Sequence, residues 1–294
     1  MGLLDPKILM AIKDLSLAAK TTVEGFMIGI HKSNIKGSGM EFNQYRSYQP
    51  GDDLRSLDWK MFARSDRYYI RESEIDTSIS VRFLIDASAS MNHKDGMFTK
   101  MEFSKYVAAS LAWLAHSQGD AIGLYIFQQA GLFSLPVRKD HQHLTRLLYE
   151  LGLVQAGGKF TTEIHYRNIF LGNYKREILI FITDFYQQDN EITKMLDLVS
   201  SLKHEIIVLH IMAENELELN YPGFTTLQDL ETGQRINTDA KQTKKDYKQT
   251  LDNYLSGIRI RLLNKNIFYR LMKMNEPIDM ALRDFLNQHN KLKA

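Results

Sequence analysis

The chain of 294 residues contains 44% hydrophobic and 24% charged residues, which are ordinary values for a globular protein. Its formal charge of +2 gives no global electrostatic argument for binding nucleic acid or a membrane. The absence of cysteine excludes disulfides, thiolate zinc sites and a thiol nucleophile. There is no secretory signal, and no apolar run is long enough to span a bilayer, so we expect a cytoplasmic protein without an integral membrane segment.

The N-terminal part combines a helix with a small β-rich element. Asp5 and Pro6 are typical of a helix start, and the apolar spacing predicts a helix to about Val23, where Gly25 weakens it. Residues 31–66 are irregular and polar, with a predicted type II turn at Pro50 and Gly51, and residues 68–71 form a predicted strand. We therefore predict an N-terminal region over residues 1–80, followed by a domain over residues 81–294.

From residue 79 onward, predicted strands and helices alternate. The predicted strands cover residues 79–85, 121–128, 132–137 (an edge strand), 177–183, 204–211 and 266–271, and a β-hairpin covers 227–237. The predicted helices cover residues 100–118, 141–151, a stretch from about 162, 192–202, 239–263 and 277–288. This alternation indicates an α/β fold, a doubly wound and mostly parallel sheet with helices on both faces.

The most informative segment is the run VRFLIDASAS at residues 81–90. A buried strand ends there in Asp86, and Ser88 and Ser90 follow with small alanines between them. A carboxylate and two hydroxyls are hard oxygen ligands, which suit Mg²⁺, Mn²⁺ or Ca²⁺ and suit zinc or copper poorly. The alternative is that these three side chains only cap the following helix and bind loop backbone groups.

Two later segments are expected at the same edge of the sheet. The strand at 178–182 is followed by Thr183 and Asp184, and the run Gly157 to Thr162 leads into a helix. Ligands of open α/β sheets bind beyond the carboxyl ends of the strands. Asp86, Ser88, Ser90, a threonine and Asp184 can then supply up to five oxygens, and an octahedral Mg²⁺ keeps a position for water or for a partner's Asp or Glu.

This order of segments resembles the metal-ion-dependent adhesion site of von Willebrand factor A domains. In that pattern a D-x-S-x-S loop follows the first strand, a glycine-rich segment supplies a threonine and an aspartate ends a later strand. Thr162, Glu163 and Ile164 match the T-D-L-like run best, so the resemblance assigns the threonine role to Thr162, with Thr161 as the alternative. The assigned metal ligands are Asp86, Ser88, Ser90, Thr162 and Asp184.

The N-terminal region carries a second resemblance. The run G-x-E-F-x-x-x-R-x-Y-x-P-G-D-D-x-R-x-L-D-W at residues 39–59 is similar to the domain of unknown function 58 family, whose members contain a divergent von Willebrand A-like domain. The hairpin around Glu231 and the segment 274–286 resemble that family as well. The resemblance implies that the chain works with a MoxR-type AAA+ ATPase in protein maturation, assembly or stress tolerance.

These observations predict a non-enzymatic, metal-dependent interaction module that binds the ATPase or a client protein offering an acidic residue. The alternative is a haloacid dehalogenase-like phosphotransfer enzyme using Asp86, but the position of its acid/base aspartate is Ser88 here. The segment Pro50–Trp59 forms either a buried ion-pair network or an interaction surface. The lysines at 241–248 indicate a solvated helix face, so no nucleic-acid partner is predicted.

Overall fold

The computed structural model of the chain describes residues 14–32, 45–48, 59–65, 67–71, 79–172, 176–221 and 223–284. Two compact units are present. The smaller is His31–Ser78, and the larger combines Met1–Ile30 with Ile79–Ala294.

Helix α1 (Leu15–Lys32) belongs largely to the larger unit. The Asp14 carboxylate caps it by accepting hydrogen bonds from the backbone N–H groups of Ser16 (2.9 Å) and Leu17 (3.1 Å). The predicted helix end near Val23 is wrong: burial of Ala19 and Val23 against the larger unit offsets the roughly 1 kcal/mol that a helical glycine costs. The predicted start at Asp5 lies outside the described residues.

Most of the N-terminal helix is thus part of the larger unit. No described helix, α1 included, is long and apolar enough to cross a membrane.

The smaller unit contains strand β1 (Tyr45–Ser47), helix α2 (Trp59–Ser65) and strand β2 (Tyr69–Arg71). The two strands pair antiparallel, and the Phe62 ring stacks on Tyr68 with 4.4 Å between the centroids. Strand β2 confirms the strand predicted at 68–71. The predicted turn at Pro50 and Gly51 lies outside the described residues, as do Asp52, Asp53, Arg55 and Asp58 of the predicted ion-pair network.

The larger unit follows the predicted alternation. Its remaining described strands are β3 (Ser80–Asp86), β4 (Lys94–Asp95), β5 (Phe98–Thr99), β6 (Ala121–Gln128), β7 (Gly131–Arg138), β8 (Ile178–Thr183), β9 (Glu205–Met212), β10 (Phe224–Gln228), β11 (Arg235–Asp239) and β12 (Phe268–Lys273). Its helices are α3 (Lys100–Ser117), α4 (His141–Leu153), α5 (Glu163–Leu171), α6 (Glu191–Ser200), α7 (Glu214–Glu218), α8 (Ala240–Leu263) and α9 (278–284). The short elements α7, β4 and β5 were not predicted, because such short segments carry no periodicity.

Six strands form the central sheet in the order β12-β9-β8-β3-β6-β7. All neighbours are parallel except β7, the edge strand, which pairs antiparallel with β6. Numbered along the chain, the sheet strands run 3-2-1-4-5-6, which is a doubly wound order. The predicted fold class is confirmed, and the strand order reverses direction between β3 and β8.

Helices cover both faces of this sheet. Phe83 and Ile85 of β3 belong to a core shared with α3, α4 and α9, whereas Leu84 belongs to a second core shared with α5, α6 and α8. Alternate residues of one strand therefore point into different cores. A strand buried on both faces explains why residues 81–85 are uniformly apolar apart from Arg82.

Arg82 is buried together with Glu177, just before β8. Its Nε and Nη2 atoms each donate to a different oxygen of the Glu177 carboxylate, both at 2.8 Å. Its guanidinium carbon also lies 4.3 Å from the centroid of the Tyr125 ring. This bidentate pair ties β3 to the chain that enters β8, so it fixes two strands whose ends carry the predicted metal ligands.

We predict that Glu177→Ala lowers the free energy of unfolding by about 3–5 kcal/mol, because it leaves the Arg82 charge buried without a partner. Urea denaturation measures this change. The matched control is Glu150→Ala, which removes an ion pair to Arg146, a side chain that is 64% exposed. That control is expected to change stability by at most about 1 kcal/mol. Equal effects of the two substitutions would contradict this account of the Arg82–Glu177 pair.

Candidate metal centre

The predicted metal ligands begin at the point where the strand order reverses. Asp86 is the last residue of β3, and Asp184 directly follows β8. These strands are parallel neighbours, with Ile85 opposite Ile182, so both chains leave the sheet at the same edge. Asp86 is 0% exposed and Asp184 is 7% exposed. Two carboxylates are therefore buried at one edge of the sheet.

Hydrogen bonds with the Asp86 side chain and with the backbone of Gly157 and Gly158 hold the loop after β3 in place. The Oδ1 atom of Asp86 accepts a hydrogen bond from the N–H of Ser88 at 2.9 Å, a local turn that aspartate favours. The N–H of Ala89 donates to the carbonyl of Gly158 (2.8 Å), and the N–H of Gly157 donates to the carbonyl of Ala87 (2.9 Å). The two glycines thus clamp the loop through their backbones.

Hydroxyl groups connect the two carboxylates. Ser88 Oγ lies 3.0 Å from Ser90 Oγ, and Ser90 Oγ donates to Asp184 Oδ1 at 3.0 Å. On the other side, Thr183 Oγ1 donates to Asp86 Oδ2 at 2.6 Å. Four of the five predicted ligands, Asp86, Ser88, Ser90 and Asp184, are thus brought together, and Thr183 joins them as a hydrogen-bond donor.

The threonines are placed differently. Thr162, the predicted ligand, is exposed at the start of α5, whereas Thr161 is 1% exposed. Both hydroxyls lie near the His165 ring, at 3.0 Å for Thr161 and 3.3 Å for Thr162. Within the described part of the chain, neither hydrogen-bonds to the side chains of Asp86, Ser88, Ser90 or Asp184, so the threonine ligand stays a prediction. Burial favours Thr161, the alternative, over Thr162.

A buried lysine also occupies the site, and the sequence did not predict it. Lys100 Nζ donates to Asp184 Oδ2 at 3.0 Å and to Glu216 Oε1 at 2.6 Å. A capping box between Thr99 and Glu102 marks Lys100 as the first residue of α3. That local signal does not give its partners, because Asp184 lies 84 residues away and Glu216 lies 116 away. Lys100 therefore binds Oδ2 of Asp184, whereas Oδ1 of Asp184 accepts the hydrogen bond from Ser90.

The backbone after Asp184 is held in an unusual conformation. Phe185 adopts a left-handed φ of 57°, which is unfavourable for a residue with a bulky side chain. Its N–H donates to Thr183 Oγ1 (2.9 Å), and its carbonyl accepts a hydrogen bond from the Tyr254 hydroxyl (2.8 Å). The Nε2 atom of His210 bonds the Asp184 carbonyl at 2.8 Å, so Nε2 carries the proton. Side chains from three elements thus fix the backbone at Asp184 and Phe185.

The two aspartates have opposite pKa shifts. Burial raises the pKa of Asp86 to about 7, repulsion from Asp184 adds to the rise, and hydrogen bonds from Thr183 and Ser88 limit it. Burial also acts to raise the pKa of Asp184, but the charge and hydrogen bond of Lys100, together with the hydrogen bond from the Tyr186 N–H, outweigh it and hold that pKa below its usual value. Burial lowers the pKa of His210 to about 4, so His210 is neutral. In the part of the chain that the structure describes, no cation is among the groups that shift the pKa of Asp86.

The donor set fits a hard divalent cation. Two oxygens bound side by side to an octahedral Mg²⁺ lie about 3.0 Å apart, because each bond is about 2.1 Å long. The Ser88–Ser90 and Ser90–Asp184 oxygen pairs have this separation. No three His, Cys, Asp or Glu side chains of the described residues cluster at metal-binding distance. The fit therefore depends on two carboxylates together with serine hydroxyls.

Comparison with known proteins identifies the family. The family described as "Protein of unknown function DUF58" matches residues 44–254. The chain belongs to this family. Among curated proteins, it is 27% identical over 232 residues to "Uncharacterized protein Rv1480" of Mycobacterium tuberculosis strain H37Rv and to "Uncharacterized protein Mb1516" of Mycobacterium bovis. Each match covers 78% of this chain and 73% of the relative.

Solved structures with a similar fold were also found. The conserved hypothetical protein BatB from Bacteroides thetaiotaomicron is 14% identical with a TM-score of 0.47, covering 73% of this chain and 100% of that one. The SpRpn10 VWA domain is 10% identical with a TM-score of 0.41, covering 71% of this chain and 95% of that one. Both scores are below 0.5, so we draw no functional argument from them.

The raised pKa of Asp86 predicts a pH-dependent stability of the metal-free protein. A carboxyl group with a raised folded-state pKa contributes stability below its unfolded pKa near 4, and this contribution is lost as the pH rises through about 7. We expect the free energy of unfolding in EDTA to fall from about pH 5 to about pH 8, and to fall by about 1–3 kcal/mol less in Asp86→Asn. Asp184, whose pKa is lowered, stays ionised throughout this range.

Urea denaturation at both pH values measures this difference. The matched control is Asp246→Asn on an exposed position of α8, which is expected to keep the wild-type pH dependence. An identical pH dependence for Asp86→Asn and the wild type would show that Asp86 does not titrate in this range.

Proposed function

We propose that the chain is a non-enzymatic protein-interaction module that binds a divalent cation, Mg²⁺ or alternatively Mn²⁺ or Ca²⁺. Asp86, Ser88, Ser90 and Asp184 would hold the ion, with Thr161 or Thr162 as a further ligand. An acidic residue of the partner would take the remaining coordination position. The observation that carries this proposal is the convergence of four buried oxygen-bearing side chains where the strand order reverses. Two of their oxygen pairs, Ser88–Ser90 and Ser90–Asp184, have the 3.0 Å separation of adjacent octahedral ligands.

The two buried acidic residues of the site support the binding of a cation. Asp86 and Asp184 are both buried, and Lys100 bonds Asp184 and Glu216. Burial raises the pKa of Asp86 to about 7, so it either keeps a proton or requires added positive charge near neutral pH. A divalent cation would supply that charge where water is excluded.

The surroundings of Asp86 favour binding over phosphotransfer. Each of its carboxylate oxygens already accepts a hydrogen bond, from the Ser88 N–H and from the Thr183 hydroxyl. A carboxyl group whose pKa is about 7 is partly protonated and is a weak nucleophile. Ser88, which occupies the acid/base position of the alternative mechanism, points its hydroxyl at Ser90.

A cleft beside the site has room for a partner's side chain. It has a volume of about 380 Å³, and its lining includes Ser90, Asp184, Asp229 and Leu230. In this proposal the partner is a MoxR-type AAA+ ATPase or a client protein of that ATPase, as the family resemblance implies. The chain would act as an adaptor or accessory factor in protein maturation or stress tolerance.

Isothermal titration with Mg²⁺ and Mn²⁺ tests the cation site. We expect one saturable site per wild-type chain, and a loss of affinity of at least about 10-fold in both Asp86→Asn and Ser90→Ala, since each removes one ligand. Asp246→Asn is the control with unchanged binding. Circular dichroism and urea denaturation of each variant separate loss of the ion from loss of the fold.

Two results would contradict the proposal. The first is the absence of saturable binding in the wild type, or equal binding in Asp86→Asn. The second is hydrolysis of p-nitrophenyl phosphate that is lost in Asp86→Asn, because such turnover would assign a catalytic role to Asp86. The partner is tested by copurification with a MoxR-type ATPase from the same genome, which EDTA and Asp86→Asn are both expected to abolish.

A further inference from the structure

The turn between β10 and β11 is organised around one carboxylate. Asp229 Oδ1 accepts hydrogen bonds from the N–H groups of Glu231 (2.8 Å) and Thr232 (3.2 Å). The N–H of Gly233 donates to the Asp229 carbonyl at 2.8 Å, and Gly233 has a φ of 74° that favours glycine. Residues 229–234, which we call the hairpin turn, therefore hold the backbone of Glu231 in a defined position.

The hairpin turn is attached to the candidate metal centre through Tyr186. The Tyr186 hydroxyl donates to Asp229 Oδ2, and the Tyr186 N–H donates to Asp184 Oδ1 at 3.2 Å. Asp229 and Leu230 also line the same cleft as Ser90 and Asp184. A single residue thus links the hairpin turn to one of the candidate ligands.

The carboxylate of Glu231 is buried in this setting without a partner. Both of its oxygens are inaccessible to solvent, and neither has a hydrogen-bond partner among the described residues. Among charged groups, Asp86 exerts the strongest repulsion on it, followed by Asp184. A buried, unpaired carboxylate is unfavourable unless it is protonated or lies beside a cation. The two strongest repulsions on it come from the two carboxylates to which we assign the ion.

We propose that Glu231 is an internal acidic ligand of the bound cation, occupying the position that a partner's acidic residue would otherwise take. This inference rests on the proposed cation site. Asp86, Asp184 and Glu231 do not form a three-carboxylate cluster of metal-binding size in the part of the chain that the structure describes. Glu231 therefore reaches the ion through one water molecule or after a small movement of the hairpin turn.

The consequence is regulatory. With Glu231 bound, the hairpin turn closes the cation site, and a partner's carboxylate must displace Glu231 to coordinate the ion. Cation binding and the position of the hairpin turn are then coupled, so each stabilises the other. A partner would bind to an opened hairpin turn, which identifies this turn, together with the cleft beneath it, as the interaction surface.

The test combines Mn²⁺ titration with hydrogen exchange of the backbone amides, for the wild type, Glu231→Gln, Glu191→Gln and Asp86→Asn. We expect Glu231→Gln to bind Mn²⁺ about 10-fold more weakly than the wild type. We also expect Mg²⁺ to slow amide exchange in the hairpin turn of the wild type and to leave it unchanged in Glu231→Gln. Glu191→Gln is the matched control, because it removes a nearby negative charge whose oxygens already accept the N–H groups of Gln188 and Asp189.

The outcomes separate this inference from the proposed function. If the wild type does not bind Mn²⁺, the cation site itself is wrong and the role of Glu231 is wrong with it. If Asp86→Asn loses Mn²⁺ binding but Glu231→Gln keeps wild-type affinity and protection, the site stands and Glu231 is not a ligand. If Glu191→Gln weakens binding as much as Glu231→Gln, the effect is general electrostatics and the inference is overturned.

Discussion

Two carboxylates buried at one edge of a parallel sheet, Asp86 and Asp184, are the constraint on which the rest of this site depends. The doubly wound order places β3 beside β8, so the residues at the ends of these two strands lie at the same edge of the sheet. Like charges in a low-dielectric environment repel strongly, and each must be hydrogen-bonded, paired or protonated. Much of the surrounding structure serves one of these purposes.

Asp184 is ionised because Lys100 pairs with it, and its direction is fixed by hydrogen bonds from Tyr186 and Ser90. Asp86 receives hydrogen bonds from Ser88 and Thr183, and it forms no ion pair among the described residues. Burial and repulsion from Asp184 therefore raise its pKa to about 7. Lys100 therefore balances the charge of Asp184, whereas no cation among the described residues balances the charge of Asp86. That shortage of positive charge, together with the serine hydroxyls between the two aspartates, is what a divalent cation would satisfy.

In our proposal, Glu231 connects the repulsion between the buried carboxyl groups to the binding of a partner. Burial and repulsion from Asp86 and Asp184 raise the pKa of its carboxyl group to about 7, and it comes from a hairpin turn that Tyr186 ties to the site. A cation shared by these groups would hold the hairpin turn closed, and removal of the cation would release it. An interaction module built this way can respond to its partner through competition between two carboxylates, one internal and one supplied by the partner.

Local patterns predicted a large part of this arrangement. The apolar run ending in Asp86, Ser88 and Ser90 is visible within ten residues, and Asp184 follows because parallel strands end at the same edge. The partners of Lys100 and the contact of Tyr186 with Asp229 join residues far apart in the chain, and no local spacing encodes them. The passage of α1 through Gly25 likewise depends on packing against the core, which outweighs the weak preference of one residue.

The most direct test of the central claim is a crystal structure grown with Mn²⁺ and measured at a wavelength where manganese scatters anomalously. The account predicts one anomalous peak within about 2.2 Å of Ser88 Oγ, Ser90 Oγ, one oxygen of Asp86 and one oxygen of Asp184. An ordered Mn²⁺ bound elsewhere, with the serine hydroxyls still bonded to each other and to Asp184, would contradict it.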